Sequence, residues 1–426
     1  MRKVYILSTL LLLGLVLSQI LPVLFSSYED VSHIIKLGTM ICLAFIMIHV
    51  GYEFEIEKNR VRQYGKDYLI AFTAATFPWI FVAVYFIIFL MPESTPAGEA
   101  WIQSLLAARF AAPTSAGVLF SMLAAAGLAT TWMFKKTRIL AIFDDLDTVI
   151  LMIPLQMLII GFKVQLLFIL VVMFILVWLA WRYMNAIKLS IRWKNVIFYS
   201  ILIAAFAEVI YFTSKTIDET VSVHIEVLLP AFVLGTMISK SHNRIKRNSQ
   251  EEDILELKSE KRVSYILSAV FMVLVGLSMP MIEGLSIDNS IAQRVDSEIV
   301  NAYVSGEISQ SSMDTTMSMG WGTLLFHVLI ITLISNIGKI MPAFFYRNEA
   351  SWRERLAVAI SMFPRGEVGA GVLIISLSYG ISGIIVSVSM LSLALNLLLT
   401  GVFIIIVKRL LKLPGRIQKS QVNSEP

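Results

Sequence analysis

The chain has few of the residues that build disulfides, thiolate metal centres and active sites. It contains one cysteine, Cys42, which excludes an intrachain disulfide. Its five histidines are dispersed along the sequence and form no cluster with zinc-ligand spacing. No nucleophile–base pair and no phosphate-binding loop is apparent. The sequence therefore gives little support to an enzyme, and we expect no cofactor.

Charged residues are also scarce, at 15% of the chain, whereas soluble domains carry about 25%. Hydrophobic residues make up 57% of the sequence and occur in long runs. A run of about 20 such residues crosses the hydrocarbon core of a bilayer as a helix. We therefore predict an all-α polytopic membrane protein, surrounded by lipid and without a nucleic-acid partner.

Twelve segments are long and apolar enough to span a membrane. The predicted spans are 4–25, 32–52, 67–92, 101–128, 139–160, 164–181, 195–213, 223–239, 263–280, 319–345, 356–378 and 383–407. With a cytoplasmic N-terminus, the external loops hold only three basic residues, Lys163, Lys215 and Arg294. Because Lys and Arg accumulate in cytoplasmic loops, we expect both chain ends in the cytoplasm.

Three carboxylates, Asp144, Asp145 and Asp147, lie inside the fifth predicted span, in "FDDLDTVI". A charge at the bilayer centre costs several kcal/mol, so such groups pair with a base or line a wet path. The basic residues within spans are Lys36, Arg109, Lys339 and Arg365. The acids pair most economically with a base of span 10 or span 11, and the sequence does not decide which. Lys36 lies near a helix end, where we expect it to reach the interface.

Two spans carry helix-breaking residues near mid-membrane. Span 4 contains "RFAAPTSAGVLF" with Pro113, and span 11 contains "MFPRGEVGAGVL" with Pro364. Each is the fourth span of a five-span half, and the predicted topology gives the two halves opposite orientations. Paired broken helices in inverted repeats indicate the central site of a secondary transporter. Carboxylates, hydroxyls and freed carbonyls there are hard ligands that suit Na⁺, Li⁺ or K⁺, and the carboxylates also bind protons.

These residues resemble the monovalent cation/proton antiporter superfamily, in particular the bacterial Na⁺/H⁺ antiporters with paired aspartates. The matching segments are "PTSAGVLFSML", "FDDLDTVI", "LLPAFVLGTMIS", "NIGKIMPAF" and "FPRGEVGAGVL", which cover the membrane part from about residue 30 to residue 408. The resemblance implies a Na⁺/H⁺ antiporter-like fold with two crossed broken helices. It also implies a homodimer in a bacterial inner membrane.

The resemblance also implies roles for individual residues. Asp145 would be the main carrier of cation and proton, and Asp144 would pair with Lys339 while sharing the Na⁺ site. Thr114 would line the site, with Ser115 beside it. A lysine in span 10 with an Asp-Asp pair resembles the electrogenic type, because lysine can release its proton whereas arginine stays charged. The remaining motif residues, Arg365 and Glu367, would form ion pairs that link domains or helix halves.

Two charged residues depart from the family pattern. Asp147 is an additional acid and Arg109 an additional base, and their roles are uncertain. They could form a compensating structural pair. Alternatively, Arg109 could reach Asp144 or Asp145, which would weaken the inference about stoichiometry.

The resemblance divides the chain into two domains. Residues 1–65 and 164–285 would form a dimerisation domain with linking helices, and 66–160 and 319–408 the ion-translocating core. Residues 286–318 would be an external loop and 409–426 a cytoplasmic tail. The short tail favours Na⁺/H⁺ antiport, since K⁺-efflux members often carry a large regulatory domain there. K⁺/H⁺ antiport, sodium-coupled organic-anion symport and a non-transporting sensor remain as alternatives.

Overall fold

In a computed structural model, the described part of the chain is residues 2–24, 28–54, 61–92, 95–217, 227–239, 250–279, 321–378 and 384–412. These residues form α-helices and no β-strand. The helices are α1 (Arg2–Leu24), α2 (Tyr28–Glu53), α3 (Val61–Phe89), α4 (Ala97–Ala108), α5 (Ala116–Ala125), α6 (Trp132–Ile160), α7 (Val164–Arg182), α8 (Trp193–Ile217), α9 (Leu228–Met237), α10 (Gln250–Leu277), α11 (Trp321–Gly338), α12 (Trp352–Ser361), α13 (Glu367–Ser378) and α14 (Ile384–Lys412).

Each of the twelve predicted spans corresponds to a helix or to a pair of helices. Within the described residues, seven segments are long and apolar enough to cross a membrane, and three shorter apolar helices lie within α7, α9 and α10. The other two predicted spans are α6, which carries the three carboxylates, and the interrupted pair α12–α13. The prediction of an all-α polytopic membrane protein is confirmed.

The two predicted interruptions are present. Helix α4 tightens into a 3₁₀ turn, Arg109–Ala111, before α5 begins at Ala116. Pro113 lies in the gap and has no N–H to continue the helical hydrogen bonds. The second interruption covers residues 362–366, between α12 and α13, and contains Pro364. By contrast, α6 continues through all three aspartates.

The helices form two compact units. The first comprises Met1–Tyr28, Lys66–Leu155 and Val275–Pro426, and the second comprises Glu29–Gly65 and Gln156–Leu274. In the first unit, α14 packs against α1, α4, α11, α12 and α13. Helix α1, which the sequence analysis grouped with residues 29–65, therefore packs within the first unit. The assignment of the units to ion translocation and dimerisation stays a prediction. The external loop 286–318 lies outside the described residues, as does the tail beyond Lys412.

In the second unit, α2 and α9 approach closely at two glycines. A Cβ on Gly235 would overlap the carbonyl of Ile48, and a Cβ on Gly51 would overlap that of Phe232. The ring of Phe232 also packs on Phe54, with ring centroids 5.3 Å apart. Phe232 and Gly235, both in the segment "LLPAFVLGTMIS", therefore hold α9 against α2, since small residues let membrane helices pack closely.

We expect Gly235→Ala to lower the stability of the second unit by about 2 kcal/mol, because overpacking a tight contact typically costs 1–3 kcal/mol. The thermal unfolding midpoint of the detergent-solubilised protein measures this effect. Gly65→Ala is the matched control, since a Cβ there would meet no atom within 4 Å. The control should leave the midpoint unchanged or raise it slightly, because alanine is the better helix former. Equal midpoints for both variants would contradict the packing role.

Lys36 has a partner that the sequence analysis did not identify. Its ammonium lies 3.1 Å from Glu208 of α8 and 4.7 Å from the ring centroid of Tyr211. The prediction that Lys36 reaches the interface did not include this partner. Because residues 36 and 208 are far apart in sequence, only the packing of α2 and α8 brings this pair together.

Candidate functional site

The two interrupted segments cross in the first unit and are joined there by hydrogen bonds. The amide of Ser115 donates to the carbonyl of Pro364 at 2.9 Å. The hydroxyl of Thr114 donates to the carbonyl of Met362 at 3.1 Å. The two interruptions thus form hydrogen bonds to each other's polar groups. Such bonds are required where irregular backbone lies at membrane depth, because no water is available there.

Asp144 lies at this crossing, in contact with both Thr114 and Lys339. Its Oδ2 atom accepts a hydrogen bond from the Thr114 amide at 2.8 Å and one from Lys339 Nζ at 2.7 Å. Lys339 Nζ also lies 2.7 Å from Thr114 Oγ1. All three side chains are 0% exposed. The carboxylate is therefore buried with a cation and two further polar groups.

The helix ends at the crossing favour a negative charge at this point. Thr114 precedes Ser115, the N-cap of α5, so its amide lies just outside the N-terminus of that helix. The partial positive charge of that terminus stabilises the Asp144 carboxylate, together with the Lys339 ammonium. The Oδ1 atom of Asp144 has no hydrogen-bond partner among the described residues. One oxygen thus holds the lysine, and the other is available to a ligand.

Asp145 follows Asp144 on α6 and points about 100° away from it around the helix. Its side chain is 9% exposed, and Ser115 at the crossing is 1% exposed. Asp145 is therefore the more accessible carboxylate of the pair, which suits an exchangeable group. Among the described residues, no group of three or more His, Cys, Asp or Glu side chains is arranged to hold a metal ion.

Arg365 binds carbonyl oxygens and one side-chain amide. Its guanidinium donates to the carbonyls of Ala111 at 3.0 Å, Ser335 at 3.0 Å and Phe363 at 3.3 Å, and to Asn336 Oδ1 at 2.8 Å. Ala111 and Ser335 lie near the C-terminal ends of helical segments, where free carbonyls carry partial negative charge. Arg365 thus links both interruptions to α11. Glu367 begins α13, and its side chain lies outside the described part of the structure.

Arg109 and Asp147 are close, but the Arg109 side chain contacts the backbone carbonyl of Asp147. The Arg109 guanidinium donates to the carbonyls of Asp147 at 3.0 Å and Thr148 at 2.7 Å. It also lies over the Trp79 ring, 4.5 Å from its centroid. The hydroxyl of Tyr68 is a polar neighbour of the Asp147 carboxylate. Arg109 therefore clamps α6 to the first interruption, and its contact with Asp147 is not a direct ion pair between the side chains.

Two hydrogen-bonded side-chain pairs that were not predicted from the sequence join α11 and α14. Asn336 donates to Asn396 at 3.0 Å, and the hydroxyls of Thr332 and Ser392 lie 2.9 Å apart. Both pairs are buried, and the spacing of four residues places them on one face of each helix. The signal was visible in the sequence, because a lone asparagine in an apolar helix usually bonds across to a neighbouring helix.

Comparison with known proteins supports this architecture. A family model described as "Sodium/hydrogen exchanger, transmembrane" matches residues 3–413. The solved structure of the sodium proton antiporter MjNhaP1 from Methanocaldococcus jannaschii at pH 8 is similar, with a TM-score of 0.53 and 16% sequence identity. The similarity covers 93% of this chain and 91% of that one. No curated protein matches the chain by sequence.

Proposed function

Because the chain belongs to the family of transmembrane sodium/hydrogen exchangers, we propose that it exchanges Na⁺ for protons at Asp144 and Asp145. One observation carries this proposal. The ammonium of Lys339 and the hydroxyl of Thr114 converge on the buried carboxylate of Asp144, where the two interrupted helices cross. A buried charge with a competing internal cation provides the basis for exchange, since an external cation can displace the lysine.

In the proton-loaded state, Lys339 neutralises Asp144 and a proton occupies Asp145. The buried site then has no net charge and can move between the two sides of the membrane at low electrostatic cost. When the cation arrives, Asp145 loses its proton and binds the ion through its carboxylate. Asp144 Oδ1 completes the carboxylate pair, because it has no other hydrogen-bond partner among the described residues.

The oxygens around the site favour a monovalent cation. Before the cation binds, Lys339 compensates Asp144, so Asp145 contributes the single uncompensated negative charge of the pair. Carboxylate and hydroxyl oxygens from Asp145, Thr114 and Ser115 are hard ligands that suit Na⁺ or Li⁺. Among the described residues, no group of three or more carboxylates or histidines is arranged to hold a metal ion, so a divalent ion is a poor match for the site.

We assign electrogenic exchange on the basis of Lys339. A lysine can release its proton when the cation takes its place on Asp144, whereas an arginine stays charged. One proton from Asp145 and one from Lys339 would then leave for each Na⁺ that binds. The cycle would move about one net charge across the membrane, and its rate would depend on the membrane potential.

The orientation, membrane and assembly belong to the same proposal. The positive-inside distribution supports cytoplasmic chain ends. The resemblance to bacterial antiporters with paired aspartates supports a bacterial inner membrane. Alternating access would come from movement of the ion-translocating core relative to a dimerisation domain, in a homodimer. The exposed apolar side chains of α7 and α8, including Phe174 and Phe206, suit contact with lipid or with a second copy of the chain.

Proteoliposomes with an internal pH dye test the proposal. Adding Na⁺ outside should drive protons out and raise the internal pH, and the rate should change when the membrane potential is clamped. Repeating the assay with Li⁺ and K⁺ gives the selectivity. Absence of a pH change with all three cations would contradict antiport, and a rate that is independent of potential would contradict electrogenic exchange alone.

A further inference from the structure

Asp67 is a buried carboxylate that the proposed exchange does not use. It lies on α3 and is 1% exposed. Both of its oxygens are close to the ammonium of Lys136, at 3.2 Å and 3.3 Å, and Oδ1 also accepts a hydrogen bond from the Tyr346 hydroxyl at 2.7 Å. Two distant parts of the chain therefore meet on a single carboxylate.

These two partners belong to the segments that carry the proposed ion site. Lys136 is on α6, two turns before Asp144, and Tyr346 follows Lys339 by seven residues, after a 3₁₀ turn at Met341–Phe344. Through Lys136 and Tyr346, Asp67 thus binds both the helix that carries Asp144 and the segment that follows Lys339 at the same point of α3.

The segment from Gly338 to Tyr346, which contains Lys339, also contacts α3 at its N-terminal end. A Cβ on Gly338 would overlap the backbone of Pro78 in α3, so the end of α11 lies directly against that helix. Asp67 and Pro78 are eleven residues apart, which is about 16 Å along a helix. Lys339 therefore lies in a short segment that contacts α3 at both of its ends.

Tyr346 is held in an unfavourable backbone conformation. Its φ is 55°, in the left-handed region that bulky residues rarely adopt. Its ring packs edge-on against Trp132 at a centroid distance of 5.9 Å, and the Lys136 ammonium lies 4.6 Å from the ring centroid. Burial beside Asp67 raises the pKa of the Tyr346 hydroxyl, so the group stays protonated and donates. Strain of this kind persists only where surrounding contacts hold it, and it often marks functional segments.

We propose that Asp67 and Tyr346 are positioning residues that hold Lys339 on Asp144 and thereby set the affinity for the transported cation. The inference rests on the proposed exchange at Asp144 and Asp145. If the attachment is loosened, the Lys339 ammonium is held less firmly against the carboxylate. The cation then meets a weaker competitor and binds more tightly, and its release becomes slower. Both KM and kcat for the cation therefore fall.

Tyr346→Phe tests this proposal, because it removes one oxygen and keeps the ring that packs on Trp132. In proteoliposomes we expect the KM for Na⁺, or for whichever cation the wild type transports, to fall at least threefold, with a fall in kcat. Unchanged kinetic constants would overturn the proposal. A fall in kcat at constant KM would also overturn it, since that pattern reports loss of folded protein.

Glu349→Gln is the matched control. Glu349 is the other carboxylate that binds Lys136, at 3.1 Å, and its side chain is 37% exposed. Because exposed ion pairs contribute little, this variant should have wild-type KM and kcat. A fall in KM as large as that of Tyr346→Phe would contradict the assignment to Asp67. Asp67→Asn, which weakens the attachment of both partners, should shift KM in the same direction as Tyr346→Phe, and a rise in KM would contradict the proposal.

The experiments distinguish failure of this positioning role from failure of the proposed exchange. If the wild type moves no protons in response to Na⁺, Li⁺ or K⁺, the exchange itself is wrong. If the wild type exchanges ions and Tyr346→Phe has the same KM, only the positioning role is wrong.

Discussion

Replacing Asp145 by asparagine abolishes cation-dependent proton movement, with an expected loss of at least a hundredfold in exchange rate. The amide has nearly the same size as the carboxylate, but it cannot carry a proton or the negative charge that holds a cation. Asp144 cannot replace it, since Lys339 occupies its Oδ2 atom. The measurement is the Na⁺-driven change in internal pH of proteoliposomes that contain equal amounts of folded protein.

Glu208→Gln is the control for this variant. It makes the same chemical change in a membrane helix of the second unit, where Glu208 pairs with Lys36. This control should exchange ions at close to the wild-type rate. Exchange that survives in Asp145→Asn would show that Asp145 is not the carrier. Exchange that is lost equally in Glu208→Gln would show that the assay detects damage to the fold.

Replacing Lys339 by methionine destabilises the protein by about 3–5 kcal/mol, because it leaves a buried carboxylate without its cation. Asp144 and Lys339 are both 0% exposed, so little solvent is available to compensate. The thermal unfolding midpoint in detergent should fall clearly. Lys36→Met should have a much smaller effect, since the side chain of Lys36 is 40% exposed.

The double variant Asp144→Asn with Lys339→Met separates stability from function. Removing both charges leaves no unpaired ion, so most of the lost stability should return. Exchange should not return, because the competing pair is absent. A double variant as unstable as Lys339→Met alone would contradict the pairing, since the two substitutions should couple strongly if the groups interact.

Local sequence chemistry predicted the two interruptions well. Pro113 and Pro364 each lack an amide hydrogen, and both lie where the helices break. The start of α12 was predicted four residues late, at residue 356, although Ser351 and Glu354 form a capping box in "SWRE". Features that depend on a few neighbouring residues are therefore accessible from the sequence.

The choice between bases was not accessible from charge pairing alone, because it depends on tertiary packing. Charge pairing left Lys339 and Arg365 as alternative partners for the acids, and only the family resemblance implied Lys339. In the structure, Lys339 contacts Asp144, whereas Arg365 donates to carbonyls of both interruptions and of α11. Which base faces the aspartate depends on how α11 and α13 are rotated about the crossing. Hydrophobic pattern does not determine this rotation, since both faces are buried.

The buried carboxylate of Asp67 was also not predicted, because the boundary of its helix was placed incorrectly. Asp67 was the first residue of a predicted span, where a charged residue is normally solvated. The helix begins earlier, at Val61, and Asp67 is buried by contacts with Lys136 and Tyr346. Boundaries are the least reliable part of a sequence-based assignment, so buried charges near them are easily missed.

Proton release on cation binding tests most directly whether a cation and protons compete for the paired aspartates. Purified protein in weakly buffered detergent solution is titrated with Na⁺ while a dye reports the pH. We predict that wild-type protein releases protons in proportion to the Na⁺ bound and that Asp145→Asn binds little Na⁺ and releases no protons. Saturable Na⁺ binding to the wild type without proton release would contradict the mechanism.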